Sequence, residues 1–112
     1  MMNKETKYEK AIMAIAEKVN SFGGTIITFN DCFTMGFRPN GEEGCVLHSI
    51  NCNGSIGVKD LKTTDVFYIP IHWLSESILF NIYITYKEKC KEQLTEWAYK
   101  EILAVDKKLF SI

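Results

Sequence analysis

Cys45, His48 and Cys52 fall within one short stretch, CVLHSINCNG. A thiol–imidazole–thiol run offers the soft donors of a zinc site, and a cysteine beside a histidine offers the parts of a thiolate nucleophile. Whether either chemistry is available depends on the backbone that carries the three side chains.

The flanks of the stretch argue for a strand. Asn53-Gly54 is a strong hairpin signal. With Cys52-Asn53-Gly54 as the loop and Gly54 in the left-handed position, Asn51 faces Ser55, Ile50 faces Ile56 and His48 faces Val58. Val46, His48, Ile50, Ile56 and Val58 then share one face, while Ser49, Asn51, Ser55 and Lys59 share the other. A two-residue Asn-Gly loop would set Ile56 opposite Asn51, so the bulged turn is preferred. In an extended strand positions 48 and 52 lie ~13 Å apart, and Cys45 points to the opposite face. Zinc donors must all sit about 2 Å from one ion. The stretch is therefore expected to be a hairpin without a metal, with His48 and Ile50 toward the core. Spacing leaves open a site assembled from distant residues such as Cys32 and His72.

The remaining carriers of chemistry are few. No GxxxxGK[ST], GxGxxG, HExxH or GxSxG run is present. Glu42 and Glu43 are neighbours in a turn and do not form an acid/base pair on a common face. His72 and Trp73 stand just ahead of a helix start at Ser75. They are expected as boundary residues, with contact to an anionic ligand as the alternative reading. The stretch from 30 to 44 is the best candidate for a binding surface, because Phe37 and Arg38 are residue types that dominate binding hot spots. The spacing of two between Phe33, Met35 and Phe37 equally fits a core strand, with Arg38 emerging at its end.

These residues need elements to hold them. Tyr8, Ile12, Ile15, Ala16 and Val19 predict a helix over 4–21, stopped by Gly23-Gly24. Thr25 to Phe29 is β-branched and reads as a strand. Asn30-Asp31, Pro39-Asn40-Gly41 and Lys59 to Asp65 read as turns, and Val66 to Ile69 as a strand ended by Pro70. Ser75 reads as an N-cap, with Leu74 and Leu79 as its hydrophobic staple. From there an apolar stripe runs through Leu79, Tyr83, Tyr86, Cys90, Leu94, Ala98, Ile102, Val105 and Leu109. One continuous helix over 76–109 would be about 50 Å long, against a diameter of roughly 35 Å for a globule of this size. A break near Lys91–Thr95, with Thr95 capping a second helix, is favoured. Otherwise the stripe of Leu94, Trp97, Ala98, Ile102, Val105 and Leu109 needs a second copy to cover it, in a two-fold dimer.

The chain has 112 residues, 46% of them hydrophobic, which suits a single domain spanning 1–112 with one core. A net charge of −1 gives no general attraction to polyanions, and only Arg38 among thirteen basic residues is an arginine. Nucleic acid is not an expected partner. The abundance of lysine, isoleucine and asparagine also fits an AT-rich bacterial or phage coding sequence. The start MMNKETKYEK lacks an apolar leader, and the apolar window from Val66 to Ile84 is interrupted by Pro70, His72, Glu76 and Asn81. A cytoplasmic protein with reduced thiols and no membrane span is expected.

The sequence thus predicts an α+β fold: an N-terminal helix, an antiparallel meander of four to five strands, and one long or two shorter helices on one face of the sheet. The expected function is a non-enzymatic binding or interaction protein without cofactor, its partner being another protein or its own copy. A small-molecule-binding domain is the first alternative and a cysteine-dependent enzyme the second. The candidate binding residues are Phe37, Arg38, His72 and Trp73.

Overall fold

The computed structural model describes residues 7–23, 25–35 and 44–110. Phe37, Arg38, Glu42, Glu43 and the expected Pro39-Asn40-Gly41 turn lie outside the described residues. The fold is α+β, with three helices and a three-stranded antiparallel sheet among the described residues.

Helix α1 spans Lys7–Asn20 and buries Ala11, Ile12, Ile15, Ala16 and Val19, the expected apolar face. Glu9 in its first turn and Lys18 in its last complement the helix dipole. Gly23, at φ +87°, takes the left-handed conformation after the helix. Residues 25–29 are extended and alternate as a strand would, Ile27 and Phe29 being buried and Ile26 and Thr28 exposed. They join no sheet, which corrects the strand expected there. The side chain of Gln93 takes the place of a neighbouring strand. Its Oε1 accepts from the Thr28 N–H at 2.9 Å and its Nε2 donates to the Thr28 carbonyl at 2.6 Å. Asn30 and Asp31 then turn the chain in left-handed conformations, at φ 52° and 58°, which these two residue types tolerate.

Strands β1 (Cys45–Ile50), β2 (Ser55–Asp60) and β3 (Val66–Pro70) form a meander in the order β1-β2-β3. Among the described residues the further strands expected amount to a stub. Thr34 bridges to Val46, the Met35 N–H donates to the Cys45 carbonyl, and the Leu47 N–H donates to the Phe33 carbonyl, both at 2.8 Å. Phe33 and Met35 face inward there, as the spacing of two implied. Pro70 closes β3 on the sheet edge, where its missing N–H costs no ladder bond.

The turn has the expected register. The Asn51 N–H donates to the Ser55 carbonyl, Gly54 sits at φ +94°, and Ile50 faces Ile56. Beyond Ile50 the ladder departs from expectation. Ser49 faces Gly57 and Leu47 faces Val58, so His48 is the extra residue of a β-bulge. The bulge exchanges neighbours. Leu47 takes the core place expected for His48, and the imidazole stands exposed. The reason is burial: Leu47 in the core contributes about 1.5–3 kcal/mol, whereas an imidazole there would need a hydrogen-bond partner.

Pro70 leads through a 3₁₀ turn, Ile71–Trp73, into helix α2 (Glu76–Gln93). Ser75 caps α2 by accepting from the Ile78 N–H, and Leu74 and Leu79 both pack into the core, as a staple requires. The helix ends at Leu94, whose backbone is extended, and α3 runs over Glu96–Phe110. Thr95 Oγ1 accepts from the Ala98 N–H at 3.1 Å, so the break falls where the sequence favours it. A ~50 Å helix would not fit a body of 40 × 37 × 19 Å. The two helices instead fold back, and α1 packs against both.

A contiguous core cluster joins Ile12, Ile15 and Val19 of α1 to Leu47, Ile56 and Val58 of the sheet and to Leu79, Ile82, Tyr86 and Ile102 of α2 and α3. Ile102, at the middle of the C-terminal stripe, is 0% exposed and is covered within its own chain. Ala98 is also buried and Leu94 and Val105 are half-buried, while Leu109 and Trp97 remain exposed, Trp97 at 65%. No helix among the described residues is long and apolar enough to cross a membrane.

Candidate functional site

A cleft of about 480 Å³ opens between the end of α1, the extended wall at Thr25 to Ile27 and the β1–β2 hairpin. Its apolar side is Ala16, Val19, Ile26, Ile27 and Ile50; its polar side is Asn20, His48, Ser49, Asn51, Cys52 and Asn53; Tyr68 and Tyr86 complete it. Small-molecule sites are commonly of this size and mixed lining.

Each wall has a local cause. The wall at Thr25 to Ile27 is held by the Gln93 amide on Thr28. With the bulge at His48, both His48 and Ser49 line the cleft while Leu47 keeps the core filled. Gly57 lies between Ser49 and Tyr68 across the sheet. A Cβ there would run into Ser49 Oγ and lie 3.1 Å from Tyr68 Cε1, so only glycine leaves both residues where they line the cleft. The turn orders its amides through Ser55. Asn51 Nδ2 donates to Ser55 Oγ at 3.0 Å, and Ser55 Oγ donates to Asn53 Oδ1 at 2.8 Å.

Tyr86 is the residue that sets this cleft apart. It projects from α2, is 2% exposed, and rests its ring on Phe29 at 5.8 Å between centroids. Burial pushes its hydroxyl well above the usual tyrosine range, and the thiols of Cys90 and Cys52 add to the shift. It therefore stays protonated, a permanent donor. Among the described residues this hydroxyl makes no hydrogen bond. Buried hydroxyls normally have a partner, and an unsatisfied one costs about 1–3 kcal/mol.

The structure distributes the sequence candidates as follows. Cys45 is buried in β1, while His48 and Cys52 are exposed and both line the cleft. No hydrogen bond joins His48 to Cys52, the contact that would activate the thiol. Cys32 is exposed, and Cys90 is buried, its thiol pushed up to about 12 by burial. No group of three His, Cys, Asp or Glu side chains that could hold a metal is formed among the described residues. His72 and Trp73 are exposed on the 3₁₀ turn, Trp73 at 69%, and neither lines this cleft. Tyr86, Tyr68, Asn20 and the amides of Asn51 and Asn53 were not legible as site residues. The one signal is that Tyr86 puts a hydroxyl on the buried stripe of α2, where leucine would serve packing alone.

A second polar cluster ties α2 to α3. The Tyr83 hydroxyl donates to Asp106 Oδ1 at 2.5 Å, and Lys87 Nζ donates to Asp106 Oδ2 at 2.9 Å and to the Tyr83 oxygen at 3.2 Å. Its groups satisfy one another, which marks it as a structural clamp. Comparison with protein-family models, curated proteins and solved structures finds no match to this chain.

Proposed function

We propose that this chain is a non-enzymatic binding protein whose ligand is a small molecule held in the cleft between α1, the 25–27 wall and the β1–β2 hairpin. The buried Tyr86 hydroxyl, unpartnered at the cleft, carries this reading. A ligand acceptor would supply the missing hydrogen bond and offset its desolvation. The expectation of a binding protein is kept, and its preferred ligand moves from a macromolecule to a small molecule.

The test is a small-molecule fragment set screened against the isotope-labelled protein by amide chemical shift. Saturable shifts at Ile27, His48, Ser49 and Asn51, lost in Tyr86→Phe, are expected. Phenylalanine fills the same volume, so that variant stays folded. Shifts scattered over other surfaces, or unaltered in Tyr86→Phe, would reject the cleft.

A protein partner is the second reading. Trp73 and Trp97 are the observation in its favour, since tryptophans this exposed are enriched in interface hot spots. Retention of partner binding in Tyr86→Phe with loss in Trp73→Ala or Trp97→Ala would select this reading over the first.

A further inference from the structure

The chemistry of the cleft narrows the ligand, on the footing that the cleft is the binding site. None of the described residues lining it carries a carboxylate, ammonium or guanidinium group. Apart from the exposed His48 imidazole, the described lining residues would offer a charged group no counter-charge to replace its lost hydration. The ligand is therefore uncharged where it is enclosed.

The turn adds a directional pattern. Ser55 accepts from the Asn51 amino group and donates, by hydroxyl and by backbone N–H, to the Asn53 carbonyl oxygen. This leaves the carbonyl oxygen of Asn51 as an acceptor and the amino group of Asn53 as a donor, side by side on one turn. The Tyr86 hydroxyl is a second donor. A nucleobase edge carries donors and acceptors that single contacts of this kind can meet, the Asn51 oxygen taking a base N–H and the Asn53 amino group a ring nitrogen or carbonyl. Tyr68, a residue 60% exposed, lines the same cleft and offers an aromatic face onto which a flat heterocycle stacks. The aliphatic side of the cleft covers the other face.

We infer that the cleft takes an uncharged nucleobase or nucleoside, stacked on Tyr68 and hydrogen-bonded to Tyr86, Asn51 and Asn53. The half-open rim leaves room for a sugar to extend into solvent. No reaction is implied.

The experiment is a calorimetric titration of the intact chain with adenosine, guanosine, cytidine and uridine in turn, up to about 1 mM. Saturable binding of at least one nucleoside is expected. Tyr86→Phe should weaken it about tenfold and Tyr68→Ala by tenfold or more. Ser55→Ala, which releases the Asn51 amide and leaves Asn53 held by the Ser55 backbone N–H alone, should reduce the difference in affinity among the four nucleosides. Far-UV circular dichroism confirms that each variant is folded. Failure of all four nucleosides to bind, or binding unchanged in both Tyr86→Phe and Tyr68→Ala, overturns the inference. If the fragment set shifts the cleft amides while no nucleoside binds, the ligand class is wrong and the binding cleft stands. If neither binds, both fall.

Discussion

Gln93, the last residue of α2, closes both backbone hydrogen bonds of Thr28, 65 residues away, with its single amide. A glutamine side chain thereby does for the extended segment what a neighbouring strand does in a sheet. It also fixes one wall of the cleft, because Thr25, Ile26 and Ile27 follow the backbone that Gln93 holds.

Replacing Gln93 should loosen this wall without unfolding the chain. Gln93→Ala should lower stability by about 1 kcal/mol, since Thr28 is exposed and water can take up its two groups. The amide of Thr28 should lose its protection from hydrogen exchange. Gln93→Glu keeps the acceptor but loses the donor, and should fall between the two. An unchanged exchange rate at Thr28 in Gln93→Ala would show that the pairing does not hold the segment.

The Tyr83–Asp106–Lys87 clamp predicts an alkaline limit to stability. Burial raises the Tyr83 pKa above 10.0, and the hydrogen bond to Asp106 adds to it. Burial alone would lower Lys87, but its bonds to Asp106 and Tyr83 outweigh this and raise it above 10.5. Both folded-state values exceed the unfolded ones, so both contributions are complete below about pH 10 and are lost as pH rises through the folded values. Urea midpoints should be flat from pH 7 to 9 and fall above about 10. Asp106→Asn should flatten that fall, and Asp106→Ala should cost about 2–3 kcal/mol at neutral pH by stranding two polar groups. A wild-type midpoint that does not fall with alkali would contradict the clamp.

The bulge makes His48 removable. Deleting it would set Leu47–Val58 and Ser49–Gly57 as consecutive pairs of a regular ladder, with the core unchanged. The deletion should fold with a stability within about 1 kcal/mol of wild type, whereas Leu47→Asp should cost several times that. Cross-strand nuclear Overhauser contacts between Val46 and Lys59 should survive the deletion. An unfolded deletion variant would mean that the hairpin is not bulged at this residue.

Ile102 separates a covered stripe from one that waits for a second copy. Because it is fully buried against its own chain, Ile102→Asp should place an unpaired charge in the core and cost about 3–5 kcal/mol. Leu109→Asp, on the exposed end of the same stripe, should stay within about 0.5 kcal/mol. The pair is read from chemical denaturation at low protein concentration. Equal stability of the two variants would show that α3 is not packed on α1.

Local signals in the sequence determined what short-range physics controls. The apolar period of α1, the Ser75 cap, the Asn53-Gly54 turn and the Thr95 restart of α3 each rest on contacts within a few residues, and each was legible. Only the tertiary structure decided the rest. The bulge at His48 arises because the ladder must seat Leu47 against β2 and the core, a demand of a whole neighbouring layer and not of the residues beside it. The 25–29 segment has the composition of a strand, yet a side chain 65 residues away satisfied it before any strand did. The cleft is least local of all. Tyr86 looks like one more core residue of an apolar stripe, and lines the cleft only because α2 lies beneath the hairpin and beside the 25–27 wall. Pattern and propensity act along the chain, whereas an unpartnered buried hydroxyl is a property of the space between elements.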